Sequence, residues 1–275
     1  MLISGLISCG IGWCDIPLKV VSFNIRYAGG KDGDNSWPNR KQVFANTLQH
    51  LDPDILGVQE CLDYQADFIA QSLPEHHWFG IGRDPDGGGE MAAVFYKKKI
   101  LSPLEAGHFW LSETPEVPGS KSWNTACTRM VTWIHFRHRE SGKEFYYFNT
   151  HFDHASEEAR CQAAKLLLSR IEKLAPELPV IVTGDFNASA ERSTPWETLI
   201  NGGLSDAWLK AEQKAGPEHT FGGFAPPKEA QKDRIDWILF KGPIKATRCE
   251  TVTYNEDGHY PSDHYPVSAE LRLGE

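Results

Sequence analysis

Eight short apolar runs, rich in β-branched and aromatic residues and bounded by turn-forming segments, recur along the whole chain. Runs of this length and composition are typical of β-strands. They are KVVSFNI at residue 19, ILGVQE at 55, AAVFYKK at 92, RMVTWIHFRH at 129, EFYYFNTHF at 144, LPVIVTGDFN at 178, RIDWILF at 234 and VSAELRL at 267. We therefore expect a fold built mainly on β-sheets.

Two longer stretches between these runs carry apolar residues at helical spacing. The stripes are Val43, Phe44, Thr47, Leu48 and Leu51 within residues 38–51, and Ala163, Ala164, Leu167, Leu168, Ile171 and Leu174 within residues 156–174. Both stretches are predicted to be amphipathic helices, with shorter helices at 64–73 and 194–199. Because strands outnumber helices and both long helices lie between strands, we expect two sheets covered by helices on their outer faces.

The chain has 275 residues, a length at which two-sheet sandwiches still form one domain. Stretches rich in Gly and Pro at residues 83–90, 114–122 and 216–228 have strands on both sides, so they are interpreted as loops rather than linkers. We expect a single domain over residues 18–275, preceded by an N-terminal segment of residues 1–17.

The N-terminal segment begins MLISGLISCGIGWC, which is apolar, has no Lys or Arg before Lys19 and is too short to span a bilayer. A flexible extension, part of an export signal and a first strand all remain open. No later segment approaches the roughly 18 apolar residues of a membrane helix, so no membrane span is expected. The compartment stays undetermined, with the cytoplasm favoured and export as the alternative.

Polar side chains stand at the ends of several predicted strands, where they tend to project into a cleft because a polar group in a core is unfavourable. They are Asn24, Glu60, His151, Asp153, Asp185, Asn187, Asp236, Asp263 and His264. Each alone has a structural explanation, such as a turn or a helix cap. Together they form the ordered series N-I-R, Q-E, N-T-H, G-D-F-N, R-I-D-W and S-D-H, a combination that chance rarely produces.

This ordered series resembles that of the endonuclease/exonuclease/phosphatase superfamily, which includes deoxyribonuclease I and nocturnin-type deadenylases. The resemblance covers about residues 18–273 and is nearest in pattern to nocturnin-like and uncharacterised bacterial members. It implies an α/β fold, a four-layer αββα sandwich of two packed mixed sheets like that of deoxyribonuclease I. It also implies an active site at the edge where the strand ends meet, and hydrolysis of a phosphodiester or phosphomonoester.

The resemblance implies a divalent metal site in which Glu60 is the principal ligand, supported by Asn24 and Asp263. Carboxylate and amide oxygens suit a hard cation such as Mg²⁺, which Mn²⁺ can replace. Whether one metal ion or two take part in turnover is left open.

The resemblance also implies roles in the in-line attack of water on phosphorus. His264 would contact the phosphate and help activate the attacking water, with Asp236 orienting its imidazole ring. Asp185 and Asn187 would flank the phosphate, Asp185 placing or deprotonating the water and Asn187 donating to a phosphoryl oxygen. His151 would bind phosphate or assist the leaving group. Which group is the general base is left open.

Five further residues are candidates for substrate binding. Arg129 is similar to an arginine that reaches the phosphate in several family members, with a surface strand residue as the alternative. Asp153 and His154 are interpreted as substrate contacts or an added metal ligand, or as caps of the helix near residue 156. Trp110 and Trp123 are proposed as a stacking platform, with loop packing as the alternative.

Charge narrows the substrate class. With 28 Lys and Arg against 37 Asp and Glu, the net charge is −9, so tight binding of duplex DNA is not expected. A single-stranded nucleic acid, a nucleotide or a small phosphate ester is favoured, and the chain is expected to be a monomer. The competing hypothesis is a binding module without catalysis, which is disfavoured because every motif residue is present.

Overall fold

The computed structural model describes residues 16–274. The expectation for the N-terminal segment falls mostly on residues 1–15, outside the described residues, whereas Ile16 and Pro17 already belong to the first strand. The strands are β1 (Ile16–Asn24), β2 (Ile55–Gln59), β3 (His76–Phe79), β4 (Val94–Lys97), β5 (Leu101–Trp110), β6 (Met130–His138), β7 (Glu144–His151), β8 (Val180–Asp185), β9 (Ser205–Asp206), β10 (Gln213–Ala215), β11 (Asp236–Lys241), β12 (Ile244–Thr251) and β13 (Val267–Leu273). The helices are α1 (Trp37–Leu51), α2 (Asp63–Ser72), α3 (Glu157–Leu174), α4 (Thr194–Asn201) and α5 (Ala207–Lys210), with a 3₁₀ turn at Gly33–Asn35.

The strands form two mixed sheets. A seven-stranded sheet has the order β10-β12-β13-β1-β2-β4-β3, and a six-stranded sheet has the order β5-β6-β7-β8-β11-β9. In the first sheet β1 runs parallel to β2 and antiparallel to β13, and in the second β8 runs parallel to β7 and antiparallel to β11. Each sheet thus has a central parallel pair whose carboxyl ends lie at one edge.

Three hydrophobic cores separate four layers, which confirms the predicted αββα sandwich. Along β1, Val20 packs between the two sheets while Val21 packs under the helices, because successive side chains of a strand point to opposite faces. Helices α1 and α2 cover the seven-stranded sheet, and α3 and α4 cover the other through Leu167 and Leu199. No helix within residues 16–274 is long and apolar enough to cross a membrane.

The predicted helices and strands all form, and several strands were missed. Helix α3 begins where expected because the Ser156 side chain accepts a hydrogen bond from the Ala159 N–H. Strand β5 was missed because it contains Pro103, which is tolerated since β5 is an edge strand with an irregular register there. Strand β12 was missed because charged residues interrupt its apolar pattern.

A buried polar seam, made of Gln59, Tyr147, Asn149 and Thr183, joins the two sheets behind their shared edge. Asn149 accepts from Gln59 Nε2 at 2.7 Å and from Thr183 Oγ1 at 3.0 Å, and it donates to the Val58 carbonyl at 2.9 Å. All four seam side chains are fully buried. Such groups are stable in a core only when they are hydrogen-bonded, so the seam restricts how the sheets can slide.

Gly57 is required where the polar seam crosses β2. A Cβ at this position would lie 2.4 Å from Thr183 Oγ1, 2.6 Å from the Tyr147 hydroxyl and 2.7 Å from Asn149 Oδ1. We expect Gly57→Ala to lower the free energy of unfolding by about 1–3 kcal/mol through overpacking, measured by urea denaturation. Gly88→Ala is the control, because its Cβ would meet no atom closer than 3.2 Å. A Gly57→Ala protein as stable as the wild type would contradict this account.

Candidate active site

Strand topology brings the predicted polar residues to one edge. Asn24 ends β1 beside Gln59 at the end of the parallel strand β2, and Glu60 follows directly. In the other sheet His151 and Asp185 end the parallel strands β7 and β8 side by side. Asp236 begins β11 opposite Asp185, because that strand runs antiparallel to β8.

The segment carrying Asp263 and His264 reaches the same edge because it precedes β13, which is antiparallel to β1. Ser262 Oγ donates to the Asn24 carbonyl at 2.7 Å. The buried guanidinium of Arg40, on α1, donates to the carbonyls of Ile25 at 2.8 Å and Pro261 at 2.7 Å. Arg40 therefore fixes the end of β1 against the segment before β13.

These residues surround a cavity of about 360 Å³. Its lining contains the carboxylates of Glu60, Asp185 and Asp263 together with the basic residues Arg83, Arg129, His151 and His154. Arg26, Tyr27, Glu90, Cys127, Asn187, Phe221 and His264 complete the lining. Its volume is that of a pocket for a small ligand.

Asn24 holds two of the lining carboxylates together. Its amide nitrogen donates to Asp185 Oδ2 at 2.9 Å and to Glu60 Oε1 at 3.1 Å, and its amide oxygen accepts from the Arg26 N–H at 3.0 Å. Burial alone would raise the pKa of Glu60, but the Tyr27 N–H at 2.7 Å and the charge of His264 hold it below its usual range. Glu60 is thus an ionised, oriented ligand candidate, whereas Asn24 uses both ends of its amide on protein groups.

Asp263 adds a second buried carboxylate near Glu60. Burial, with a further contribution from the charge of Glu60, raises the pKa of Asp263. The Arg26 guanidinium lies 3.7 Å from Asp263 Oδ2 but forms its hydrogen bonds with Asp32, at 2.8 and 3.0 Å. Two carboxylates left close together without a full counter-charge fit a hard divalent cation.

His264 and Asp236 form a buried ion pair. His264 Nδ1 lies 2.9 Å from Asp236 Oδ2, and the Asp236 backbone N–H donates to Thr220 Oγ1 at 3.1 Å. Burial would lower the pKa of His264, but the charges of Asp236 and Asp185 raise it to about 10. The ring is therefore an imidazolium that presents Nε2–H to the cavity.

The side chains of Asp185, Asp236 and His264 also offer ligand atoms within 4.8 Å of one another. The positive charge of His264 disfavours a cation at this cluster, although Asp236 Oδ1 has no hydrogen-bond partner among the described residues. The carboxylates of Glu60 and Asp263 are the second candidate position for a cation.

Asp185 Oδ2 lies between the two imidazoles, 3.3 Å from His151 Nε2 and 3.8 Å from His264 Nε2. Burial and the charge of Asp236 raise the pKa of Asp185 to about 7. Burial and the charge of Arg129 lower the pKa of His151 well below its usual value, so its ring is neutral. A carboxyl group that titrates near neutral pH and a neutral imidazole thus face one cavity.

Asn187 differs from its expected role. Its amide nitrogen donates to His151 Nε2 at 3.0 Å and to the Phe152 carbonyl at 3.0 Å, so both amide hydrogens are used within the protein. Its backbone N–H donates to Asp185 Oδ1 at 2.9 Å. Asn187 therefore orients the two groups beside it, and the expectation that it donates to a phosphoryl oxygen does not match these contacts.

Arg129 is the best-placed anion ligand among the predicted residues. Only 5% of its surface is exposed, and its Nε and Nη1 atoms have no hydrogen-bond partner among the described residues. Its Nη2 contacts His154 Nδ1 at 3.2 Å, and His154 is exposed at the cavity. Buried guanidinium donors without partners are unfavourable, so this arrangement suits an anionic ligand.

Asp153 is a structural residue, which corrects its assignment to substrate binding. Its carboxylate accepts hydrogen bonds from Thr125 Oγ1 and from four backbone N–H groups, those of Ala126, Cys127, Ala155 and Ser156. Burial would raise the pKa of Asp153, but these donors lower it to about 2. The cap interpretation is the one that matches, and Arg160 adds a hydrogen bond to the Asp153 carbonyl at 2.9 Å.

The proposed tryptophan platform does not form at the cavity. Trp110 is buried and its indole N–H donates to the Arg83 carbonyl at 2.7 Å. Trp123 is half-buried, and its carbonyl accepts from Ser156 Oγ at 2.9 Å. Neither is among the described residues that line the cavity, so loop packing is the interpretation that matches.

Six lining residues were not among the predicted site residues: Arg26, Tyr27, Arg83, Glu90, Cys127 and Phe221. Arg83 and Glu90 stand at the two ends of a Gly-rich segment that was interpreted only as a loop. Phe221 is 47% exposed, with its ring edge-on to His264 at 5.1 Å between centroids. No pattern in its Gly- and Pro-rich surroundings indicated this position.

Comparisons with known proteins give consistent results. A sequence model described as the endonuclease/exonuclease/phosphatase family matches residues 21–264. A structure of a protein with that description from Bacteroides vulgatus is 35% identical, with a TM-score of 0.89 over 94% of this chain and 100% of that chain. The mannosyl-6-phosphatase of Bacteroides thetaiotaomicron is 34% identical, with a TM-score of 0.86 over 92% of this chain and 99% of that chain.

A curated relative, Nocturnin of Drosophila melanogaster, is 22% identical over 287 residues, which cover 86% of this chain and 42% of Nocturnin. The matches to the three curated relatives span between 42% and 59% of the length of those proteins.

The ion pair of His264 and Asp236 makes a testable prediction. In Asp236→Asn the charge that favours the imidazolium is lost while the shape is kept, so the pKa of His264 falls by about 1–3 units. Titration of the histidine ring signals by NMR measures this change, with His154, which has no contact with Asp236, as the internal reference. An unchanged His264 pKa in Asp236→Asn would show that the pair does not set the charge of the ring.

Proposed function

The chain belongs to the endonuclease/exonuclease/phosphatase family, whose members are hydrolases acting on phosphoester bonds, and we propose that it is a divalent-metal-dependent phosphoesterase for small phosphate esters. The family match confirms the resemblance noted in the ordered motifs. The observation that carries the proposal is that one cavity is lined both by carboxylates, which fit a cation, and by the buried guanidinium of Arg129, which has donors without partners among the described residues.

We assign the metal to Glu60 and Asp263, with Mg²⁺ as the first candidate and Mn²⁺ as a substitute. Both side chains offer carboxylate oxygens, the donors that these hard cations prefer. Asn24 positions Glu60 through its amide nitrogen, and its amide oxygen, which accepts one hydrogen bond, keeps a lone pair that can support the cation. A bound cation would supply neutralisation of charge on the phosphoryl oxygens.

Side chains of the protein supply the remaining catalytic and binding roles. The imidazolium of His264 donates from Nε2 to a phosphoryl oxygen, where charge develops during attack. Asp185 orients the attacking water and accepts its proton, which suits a carboxyl with a pKa of about 7. The neutral His151, held by Asn187, lies beside Asp185 and limits the positions open to the water. Arg129 binds the phosphate through its guanidinium group, with His154 at the entrance.

A phosphosugar is the first candidate substrate. The mannosyl-6-phosphatase that is 34% identical supports this class, and a cavity of about 360 Å³ accommodates a sugar phosphate. The net charge of −9 gives no broad basic surface for duplex DNA. Nucleotides and single-stranded nucleic acids are the comparison substrates, since Nocturnin is also similar to this chain.

The proposal is tested by product release from hexose phosphates, nucleotides and single-stranded RNA with Mg²⁺, with Mn²⁺ or with EDTA. We expect metal-dependent hydrolysis that falls by about 10²-fold or more in His264→Ala, which loses the charged donor. Glu60→Gln is expected to weaken Mg²⁺ binding in calorimetry and to lower activity similarly, because one ligand charge is removed.

The matched control is Glu140→Gln, which changes an exposed carboxylate in the β6–β7 turn away from the cavity. It should keep wild-type activity and metal affinity. Hydrolysis that persists in EDTA and in Glu60→Gln would contradict the proposed metal site, and loss of activity in Glu140→Gln to the same degree would show that the assay reports general damage.

A further inference from the structure

The cavity is lined by a second arginine, Arg83, to which the proposed mechanism assigns no role. Arg83 makes an end-on pair with Glu90, in which Nη1 donates to Oε2 and Nη2 donates to Oε1, each at 2.8 Å. Both side chains are largely buried, with 16% and 17% exposed. A guanidinium has five N–H donors, and this pairing uses only two of them.

The end-on geometry leaves the Nε edge of Arg83 without a hydrogen-bond partner among residues 16–274. Arg129 likewise has free Nε and Nη1 donors. Both arginines line the cavity and also a small recess of about 10 Å³ behind it. Two guanidinium groups with unused donors therefore line the same pocket.

Hydrogen bonds hold the backbone around Arg83. Within the loop of residues 82–90 the Arg83 N–H donates to the Glu90 carbonyl at 3.0 Å, and the Gly82 N–H donates to the Gly87 carbonyl at 3.1 Å. The Trp110 indole N–H donates to the Arg83 carbonyl at 2.7 Å. Binding of a ligand group by Arg83 would therefore cause little loss of conformational entropy in the protein.

Placing two arginines together is electrostatically unfavourable without an anion. Burial lowers the pKa of Arg129, and the charge of Arg83 lowers it further. The charges of Glu90 and Asp185 offset this only in part, and the Nε and Nη1 donors of Arg129 still have no hydrogen-bond partner among the described residues. A ligand with more than one negatively charged oxygen can accept from both guanidinium groups.

We propose that Arg83, held in place by Glu90, binds a terminal phosphate oxygen and makes the enzyme selective for phosphomonoesters over phosphodiesters. A monoester phosphate has three non-bridging oxygens and two charges, whereas a diester has two such oxygens and one charge. The third oxygen is the group that Arg83 recognises beside Arg129. The inference rests on the proposed phosphoesterase function and narrows its substrate class.

The test compares a hexose 6-phosphate with its 6-(methyl phosphate) diester, in wild type, Arg83→Gln and Arg83→Lys. We expect wild type to prefer the monoester. In Arg83→Gln, kcat/KM for the monoester falls by about 10- to 100-fold, the range for one charged hydrogen-bonded contact. The diester value changes by less than about threefold, and Arg83→Lys restores only part of the preference, because a lysine keeps the charge without the planar edge.

Two variants separate recognition from folding. Arg137→Gln breaks a surface Arg–Glu pair with Glu144 far from the cavity and should change neither substrate. Glu90→Gln should raise KM for the monoester, and adding it to Arg83→Gln should cause no further loss, since Glu90 acts through Arg83. The thermal unfolding temperature of each variant shows whether that variant is still folded.

Binding of inorganic phosphate and of dimethyl phosphate, followed by calorimetry, tests the inference without turnover. We expect Arg83→Gln to weaken phosphate binding by about tenfold or more while dimethyl phosphate is unaffected. Equal losses for both ligands, or no loss for either, would overturn the role of Arg83. If phosphate binding depends on Arg83 as expected but the wild type hydrolyses neither ester, the proposed phosphoesterase function is wrong. The role of Arg83 in anion binding is then retained.

Discussion

One buried amide, that of Asn24, connects the two sheets at the active edge. Asn24 ends β1 of the seven-stranded sheet, and its hydrogen bond to Asp185 Oδ2, 2.9 Å long, reaches the end of β8 in the other sheet. Its second hydrogen bond holds Glu60. Leaving such groups unpaired would cost about 1–3 kcal/mol each, so the sheets are stable only in the register that completes them. The polar seam behind the site imposes the same register through Asn149.

That register brings charged groups of both sheets to one cavity. Glu60 follows β2 and Asp263 precedes β13 in the first sheet, whereas Asp185 ends β8 and Arg129 directly precedes β6 in the second. The pair of Asp236 and His264 keeps a buried imidazolium charged. A cation, a charged donor and a guanidinium can then act on one phosphate without pairing with each other, which is how a preorganised site stabilises developing charge.

The sequence was informative where side-chain type and position at a strand end together determine which residues reach the cavity. The ends of β1, β2, β7 and β8 were recognisable because polar residues terminate buried runs, and parallel pairing brought them together as expected. Asp153 and Trp110 were misassigned because proximity in sequence to site residues does not reveal which backbone donors or carbonyls a side chain will meet. Arg83 and Glu90 were missed because a Gly-rich loop has no periodic pattern that indicates where its ends point.

The most direct test of the account is anomalous diffraction from crystals soaked with Mn²⁺, which locates the cation without requiring a substrate. The account predicts a single strong peak in contact with the carboxylates of Glu60 and Asp263, and its loss in Glu60→Gln. A peak among Asp185, Asp236 and His264 instead, or no peak in a cavity that remains open to solvent, would contradict the assignment of the cation to Glu60 and Asp263.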